Sequence, residues 1–574
     1  MKAPRFLLAL APLLVATACA SGSFGSTRYP SADRPDEARA YADFMVARYA
    51  AMTNDPQVAT RHYASAISTA PEDTGVAERA VFSALLANDY GMAAGLARRA
   101  NDSGSEASLV RLTLAVDAIG RGKAGQAIDI LEASDLRAFN RMIARSLEAW
   151  SVLDTQGSEA AETLLQRNLT GDPRLDNATL HMMALVQVAA GEDDAAIATF
   201  DTIWASGARL AVGAETYASL LAARGERDKA LAILGQFREE VGFNASLMAL
   251  KARLENGEAI KPVRPSTRQG AALALFLPAS ALMFQTDDDV AAVYFVLALA
   301  LDPHLNQART LLGQSLVQGG RPQAAIRVLG EVPTDSPYYA VARGQMASVL
   351  YKEDRADEAL RVAAEALAAR PDRSLKIQVA DLYRAADRQA DAEALLSEVI
   401  ASDEAEGRRD WRVYFVRGAA RERQSDWAGA EADLEKALEL NPENATVLNY
   451  LGYSWIDRGI RLEEGFGLIR KAVILEPNSG HIVDSLGWAH YKLGMYEDAV
   501  DFLEHAVELL PADPTLNDHL GDAYWKSGRR KEAGFQWQRA LKLDPSADDR
   551  VRIEQKLLTG LEAAPAGTGP AVAR

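Results

Sequence analysis

Cysteine is all but missing from this chain of 574 residues: Cys19 stands alone. That excludes an internal disulfide framework and any zinc cluster built on thiolates. Basic charge is also short, because 62 Lys and Arg face 79 Asp and Glu for a net charge of −17. A nucleic-acid partner would need a basic face that this balance opposes, so none is expected. No segment holds the eighteen uninterrupted apolar residues of a membrane-crossing helix. Nor does an alternating, strand-like apolar pattern run for any sustained length.

Signatures of chemistry are equally scarce. The Gly-x4-Gly-Lys-Ser/Thr loop, the Gly-x-Ser-x-Gly elbow and the His-Glu-x-x-His helix are all absent. Among the histidines, His490, His505 and His519 recur at spacings of 15 and 14. Those spacings place them on different helices with no shared carboxylate partner visible, so they read as exposed or hairpin-packing side chains. Asp287-Asp288-Asp289 lacks the alternating ligands and the glycine of a calcium loop and reads as a polar turn. Gly465-Phe466-Gly467 is too short for a nucleotide fingerprint. No catalytic residue, metal site or cofactor is expected, and the chain reads as a non-enzyme.

What is present is apolar content of 48% with 25% charge, too apolar for disorder in a chain too long for a single core. One small residue returns at a nearly fixed interval: Ala59, Ala93, Ala127, Ala161, Ala196 and Ala230, then Ala291, Ala325, Ala359, Ala392, Ala430, Gly465, Ala499 and Ala533. The steps are 33 to 35 residues, broken only by one of 61 after Ala230 and one of 38 before Ala430. In most units a second small residue lies twelve positions earlier, as at Ala218, Ala380, Gly487 and Gly521; Val81 is the exception. Two small side chains at that separation let two antiparallel helices cross closely. Apolar residues at helical spacing, such as Val500, Leu503, Val507 and Leu510, give each helix one stripe to bury. A lone hairpin cannot cover that stripe, whereas stacked neighbours can.

The late units carry the fullest pattern. Leu486-Gly487, Tyr491, Ala499, Leu503, Ala506 and Pro511 return as Leu520-Gly521, Tyr524, Ala533, Trp537, Ala540 and Pro545. Pro303, Pro337, Pro371, Pro442, Pro477, Pro511 and Pro545 form a ladder past the predicted second helices, where a missing N–H ends a helix. The period and these residues resemble the tetratricopeptide repeat. The resemblance implies an all-α solenoid of helical hairpins wound as a right-handed superhelix. The break in the count divides it into one array over 37–236 and another over 271–562, the latter ending in a solvent-facing capping helix. Between them, 237–270 reads as a linker or degenerate repeat with a helix near 246–256. Residues 403–409 read as a charged loop extension, and 563–574, rich in Ala, Pro and Gly, as a disordered tail.

Residues 1–18 have the order of an export signal: Lys2 and Arg5, an apolar stretch over 6–15 interrupted by Pro12, then Ala16-Thr17-Ala18 before Cys19. Ala-Thr-Ala-Cys resembles the lipobox of bacterial lipoproteins, with Ala16 where leucine is commonest. The resemblance implies that Cys19 is lipidated and, with Ala20 next, that the protein is delivered to the outer membrane facing the periplasm. Ordinary signal cleavage with an incidental cysteine is the plainer alternative. Residues 19–36 read as a flexible tether.

In tetratricopeptide proteins the second, fifth, ninth and twelfth places of each first helix line the concave face. Carried onto this sequence, the rule gives a partner-binding groove of Asn449, Tyr453 and Ile456; His481, Asp484, Trp488 and Tyr491; and Thr515, Asp518, Asp522 and Trp525. Aromatic side chains contribute most at protein interfaces, and the acids imply basic partner segments and salt-sensitive affinity. Packing of Trp488, Tyr491 and Trp525 between neighbouring repeats is the plainer alternative. The run Leu451-Gly452-Tyr453-Ser454-Trp455-Ile456-Asp457-Arg458-Gly459, with Asp484-Ser485-Leu486-Gly487-Trp488 and Trp537, resembles lipoprotein adaptors of carboxy-terminal-processing proteases. That resemblance implies a scaffold that brings such a protease to cell-wall hydrolases. A structural part of an envelope assembly or export machine, in polysaccharide or outer-membrane-protein biogenesis, is the second reading.

Overall fold

The computed structural model describes residues 35–561 apart from 70–72, 135, 137, 168, 172 and 284–287. The leader, Cys19, the tether up to residue 34, Asp287 and the tail over 563–574 lie outside the described residues. Among the described residues there are thirty α-helices, from Pro35–Met52 to Ala547–Thr559, and no strand. The all-α hairpin solenoid anticipated from the 34-residue period is the fold observed.

Local chemistry sets where each helix starts and stops. The Asp426, Asn444 and Asp513 side chains each accept from a backbone N–H of the following first turn, which satisfies donors a helix leaves orphaned. Between the two helices of a hairpin the chain reverses through one left-handed residue. Gly494 has φ 77° and Gly528 φ 86°, and Ser425 takes the same place at φ 66°. Past each second helix of the late hairpins, Pro442, Pro477, Pro511 and Pro545 stand in the connection to the next helix.

The recurrent small residues lie at the helix crossings. Every alanine of the 34-residue ladder is fully buried, from Ala59 to Ala533. A Cβ built on Gly487 would sit 2.6 Å from Leu503 Cγ, and one on Gly521 would sit 2.5 Å from the Trp537 ring. On Gly452 it would meet the Gly465 carbonyl oxygen at 2.7 Å. At these three crossings the two helices of the hairpin are therefore close enough that only a hydrogen fits between them.

The chain divides into two compact units, residues 1–121 with 126–141, and residues 122–125 with 142–574. In the first, Pro35–Met52, Pro56–Thr69, Thr74–Leu86, Tyr90–Asp102 and Ser108–Gly120 pack each on the next. The second ends in four regular hairpins: Trp411–Arg423 with Trp427–Leu440, Ala445–Arg458 with Leu462–Leu475, Gly480–Lys492 with Tyr496–Leu509, and Pro514–Lys526 with Arg530–Lys542. Ala547–Thr559 follows them.

The long step after Ala230 has a physical cause. An extra helix, Ala245–Glu255, packs on Ala211–Ala223 and Arg227–Glu240, and the chain then runs back without regular structure. Arg264 ties this strap down by donating to the Val188 carbonyl at 2.6 Å and forking onto Asp193 at 2.9 Å. Thr267–Leu282 is thereby laid against Pro173–Ala190, with Gly270 so close to Trp150 that a Cβ there would meet the indole at 2.1 Å. The 403–409 stretch is also more ordered than a loop. Helix Gln389–Ala405 carries Asp403 into a buried site, where Arg373 donates at 2.8 Å and Arg408 at 2.9 Å.

Candidate functional site

The expected stripe draws on the first helices of the hairpins that begin at Ala445, Gly480 and Pro514. Residues four apart share a helix face. Asn449 with Tyr453, Asp484 with Trp488, and Asp518 with Asp522 therefore form three successive pairs. Most of the stripe comes together, but not as an open surface: Asp484 and Trp488 are each 5% exposed, Asp518 1% and Asp522 5%. Asn449, Tyr453, Tyr491, Thr515 and Trp525 are half-buried. Three members stand apart from the acidic centre. Ile456 packs on Ile469, Leu486 and Ala489 in the hairpin seam, His481 is exposed, and the Thr515 N–H donates to Asp513 at 2.8 Å in the first helical turn.

The aromatic residues pack between repeats. Trp488 is sandwiched by Tyr491, with ring centroids 4.7 Å apart, and by His519 of the next hairpin at 4.1 Å. Its indole N–H is buried without an acceptor among the described residues. Trp525 lies 5.5 Å from Trp537, and Gly560 presses onto its ring so closely that a Cβ would sit 2.1 Å away.

His519 corrects a sequence expectation, since it is neither exposed nor packed within its own hairpin but buried against the preceding one, with a carboxylate partner of its own. Its Nδ1 lies 3.0 Å from Asp484, 35 residues earlier and one hairpin back. Burial opposes charging this ring, yet the Asp484 carboxylate, helped by Asp518 and Asp522, raises its pKa above the ordinary histidine value. The short spacings among the histidines concealed the pair, because the relevant interval is one repeat and not a helical turn.

The acids are closed over by the C-terminal helix Ala547–Thr559. Lys556 Nζ is 2.8 Å from both Asp518 and Asp522, and Arg552 reaches Asp518 at 3.3 Å. Arg552 lies 34 residues after Asp518, and Lys556 lies 34 after Asp522. The last helix therefore takes the place of the first helix of one more repeat and presents cations where its predecessor presents anions. Only part of it faces solvent, since Ile553 and Lys556 are buried. Asp522 also accepts from the Trp537 indole at 3.0 Å. Burial pushes its carboxyl up to about 6 against the pull of Lys556. Burial likewise raises the Tyr453 phenol, with Asp457 and Asp484 adding to the shift.

Family profiles described as tetratricopeptide repeat match residues 411–444, 483–513 and 515–546. The chain carries tetratricopeptide repeats. The matches fall on the hairpins that begin at Trp411, Gly480 and Pro514, and the last two of these supply first helices to the stripe. The TPR repeat-containing protein PA4667 of Pseudomonas aeruginosa is 31% identical over 172 residues, covering 30% of this chain and 28% of that protein. The human protein O-mannosyl-transferase TMTC1 is 24% identical over 173 residues, covering 29% of this chain and 19% of that protein. The match therefore spans less than a third of either relative. Among solved structures, the APC/C hetero-tetramer Cut9-Hcn1 is similar at 17% identity and a TM-score of 0.37, over 84% of this chain and 95% of that one. A tetratricopeptide repeat protein from Parabacteroides merdae is similar at 13% identity and a TM-score of 0.39, over 44% and 98%. Among the described residues no group of three or more His, Cys, Asp or Glu is placed to hold a metal ion, and no helix is long and apolar enough to cross a membrane.

Proposed function

We propose that this protein is a lipid-anchored periplasmic scaffold that binds partner proteins through its tetratricopeptide repeats and recruits an envelope protease to cell-wall hydrolases. The observation that carries the binding role is the run of four regular hairpins that begin at Trp411, Ala445, Gly480 and Pro514, three of them matched as tetratricopeptide repeats. Repetition at a fixed interval lines successive first helices along one face, and an array built this way suits an extended polypeptide. The anchoring half rests on the sole cysteine standing directly after Ala16-Thr17-Ala18. Two or three acyl chains on Cys19 hold a protein at a membrane where one does not, since each buried methylene is worth about 0.8 kcal/mol. Tethering also concentrates partners, so a modest interface suffices.

Two measurements test this. Cys19→Ser is expected to move the protein from the membrane pellet to the soluble fraction; a variant that still sediments with membranes sinks the anchor. Affinity capture of the full chain from detergent-solubilised envelopes, read by mass spectrometry, is expected to recover a carboxy-terminal-processing protease together with a peptidoglycan hydrolase. Recovery of neither defeats the recruiting role.

A further inference from the structure

The strap over 257–266 does more than span a gap in the repeat count. By laying Thr267–Leu282 back against Pro173–Ala190, it forms one side of an open cavity of about 390 Å³ within the larger unit, to which it contributes Val263 and Pro265. The volume is that of a small-ligand site. Leu185, Val212 and Leu273 supply apolar wall, while Glu215, Ser246 and Tyr338 bring polar groups to it from three separate helices or their approaches. None of the described residues lining it is Lys or Arg; His304 is the one basic group and Asp302 a second carboxylate of the wall, and the partner of Glu215 is the neutral Ser246.

A carboxylate in such a place needs a reason. Glu215 is half-buried, opening to the cavity, and its hydrogen bond comes from Ser246. Tyr338 donates instead to Asn244 at 3.4 Å, and the Asn244 side chain also caps Ser246 and Leu247. The polar wall is thus fixed from behind, with Glu215 facing inward. Burial pushes the Glu215 carboxyl above the usual range, and Glu215 adds to the burial that raises the Tyr338 phenol. A carboxylate taken partly out of water without an opposite charge is costly, and a cation brought by a ligand would lower that cost.

We infer that this cavity binds an ammonium or guanidinium group carried on an apolar stem, with Glu215 as its counter-ion and Leu185, Val212 and Leu273 along the methylenes. A lysine or arginine side chain of a bound polypeptide has this chemistry, and so does a small free amine. The site lies apart from the groove of the late repeats and does not depend on it.

Isothermal titration of the full chain separates the possibilities. The probes are the Nα-acetyl N-methylamides of lysine, arginine and norleucine, and an end-capped pentapeptide with one central lysine among uncharged residues. The lysine and arginine probes are expected to bind at least tenfold more tightly than norleucine, which has the stem without the charge. Glu215→Gln is expected to remove that preference. Val212→Phe, which narrows the cavity and leaves the carboxylate, is expected to weaken every probe, so the result does not rest on one variant. Equal affinity for the single-residue probe and the pentapeptide supports a small-amine site, and binding of the pentapeptide alone supports a polypeptide side chain. No binding of any cationic probe at millimolar concentration overturns the inference, as does a charge preference that survives Glu215→Gln.

Discussion

Replacing Lys556 with methionine is expected to destabilise the last hairpin and the helix that covers it by about 3–5 kcal/mol, the usual cost of breaking a buried ion pair from one side. Methionine keeps most of the apolar stem and removes the ammonium. Asp518 and Asp522 then remain buried with their shared cation gone, and Arg552, which reaches only Asp518 at 3.3 Å, cannot replace it. Repeat arrays lose stability unit by unit, so the damage is expected to stay local. Hydrogen exchange of residues 514–559 should accelerate while the hairpin Trp411–Arg423 with Trp427–Leu440 keeps its protection. Adding Asp518→Asn and Asp522→Asn to Lys556→Met should recover most of the loss, because no buried charge is then left over. A single variant as stable as wild type would mean that the three groups are hydrated in solution.

The same cluster gives the terminal repeats a pH dependence of definite sign. The Asp522 pKa is raised from 3.8 to about 6. Its contribution is therefore fully present below about pH 4 and lost as pH rises through about 6. The His519 pKa is raised above 6.5, so its contribution persists below 6.5 and is lost as pH rises through the higher folded value. Both act in one direction. His490 in the same hairpins acts in the opposite sense, because burial lowers its pKa, so the cluster is read by difference. In urea unfolding followed by tryptophan fluorescence, wild type should lose more stability than Asp522→Asn between pH 5 and pH 8, and an equal loss in the two would refute the assignment.

Much of this molecule is readable from one interval. The alanines spaced about 34 apart are the buried residues at the crossings, and the glycines twelve places before them are where a Cβ would strike the partner helix. These follow from sequence because they are local demands, met inside a single hairpin. The return of the strap onto Pro173–Ala190 was not legible, since Arg264 finds Val188 and Asp193 more than seventy residues away and no short motif announces such a pairing. The stripe was legible in its membership but not in its burial. Asp518 and Asp522 were read as free acids because the cations that meet them sit in a helix without the repeat signature. Adding the repeat length to 518 and 522 would have found Arg552 and Lys556, an inference that treats the last helix as one more first helix.

Gly487→Ala is expected to destabilise the protein by about 1–3 kcal/mol, even though alanine is favoured over glycine inside a helix by about 1 kcal/mol. The new Cβ would lie 2.6 Å from Leu503 Cγ and 3.2 Å from its backbone nitrogen. Leu503 is fully buried, so neither helix can yield without opening the crossing. Leu503→Ala alone should cost about 2–5 kcal/mol through the cavity it leaves. Combined with Gly487→Ala it should cost less than the sum of the two, because the methyl group then occupies part of that space. Gly467 provides the control: it sits mid-helix in Leu462–Leu475 with nothing within 4 Å of its Cβ position. Gly467→Ala should therefore stabilise by about 0.5–1 kcal/mol, the ordinary entropic gain. Opposite signs at two helical glycines only twenty residues apart would tie the 34-residue recurrence of small side chains to close helix approach. Equal signs, or additive costs in the Gly487 and Leu503 pair, would show that the interval has some other origin.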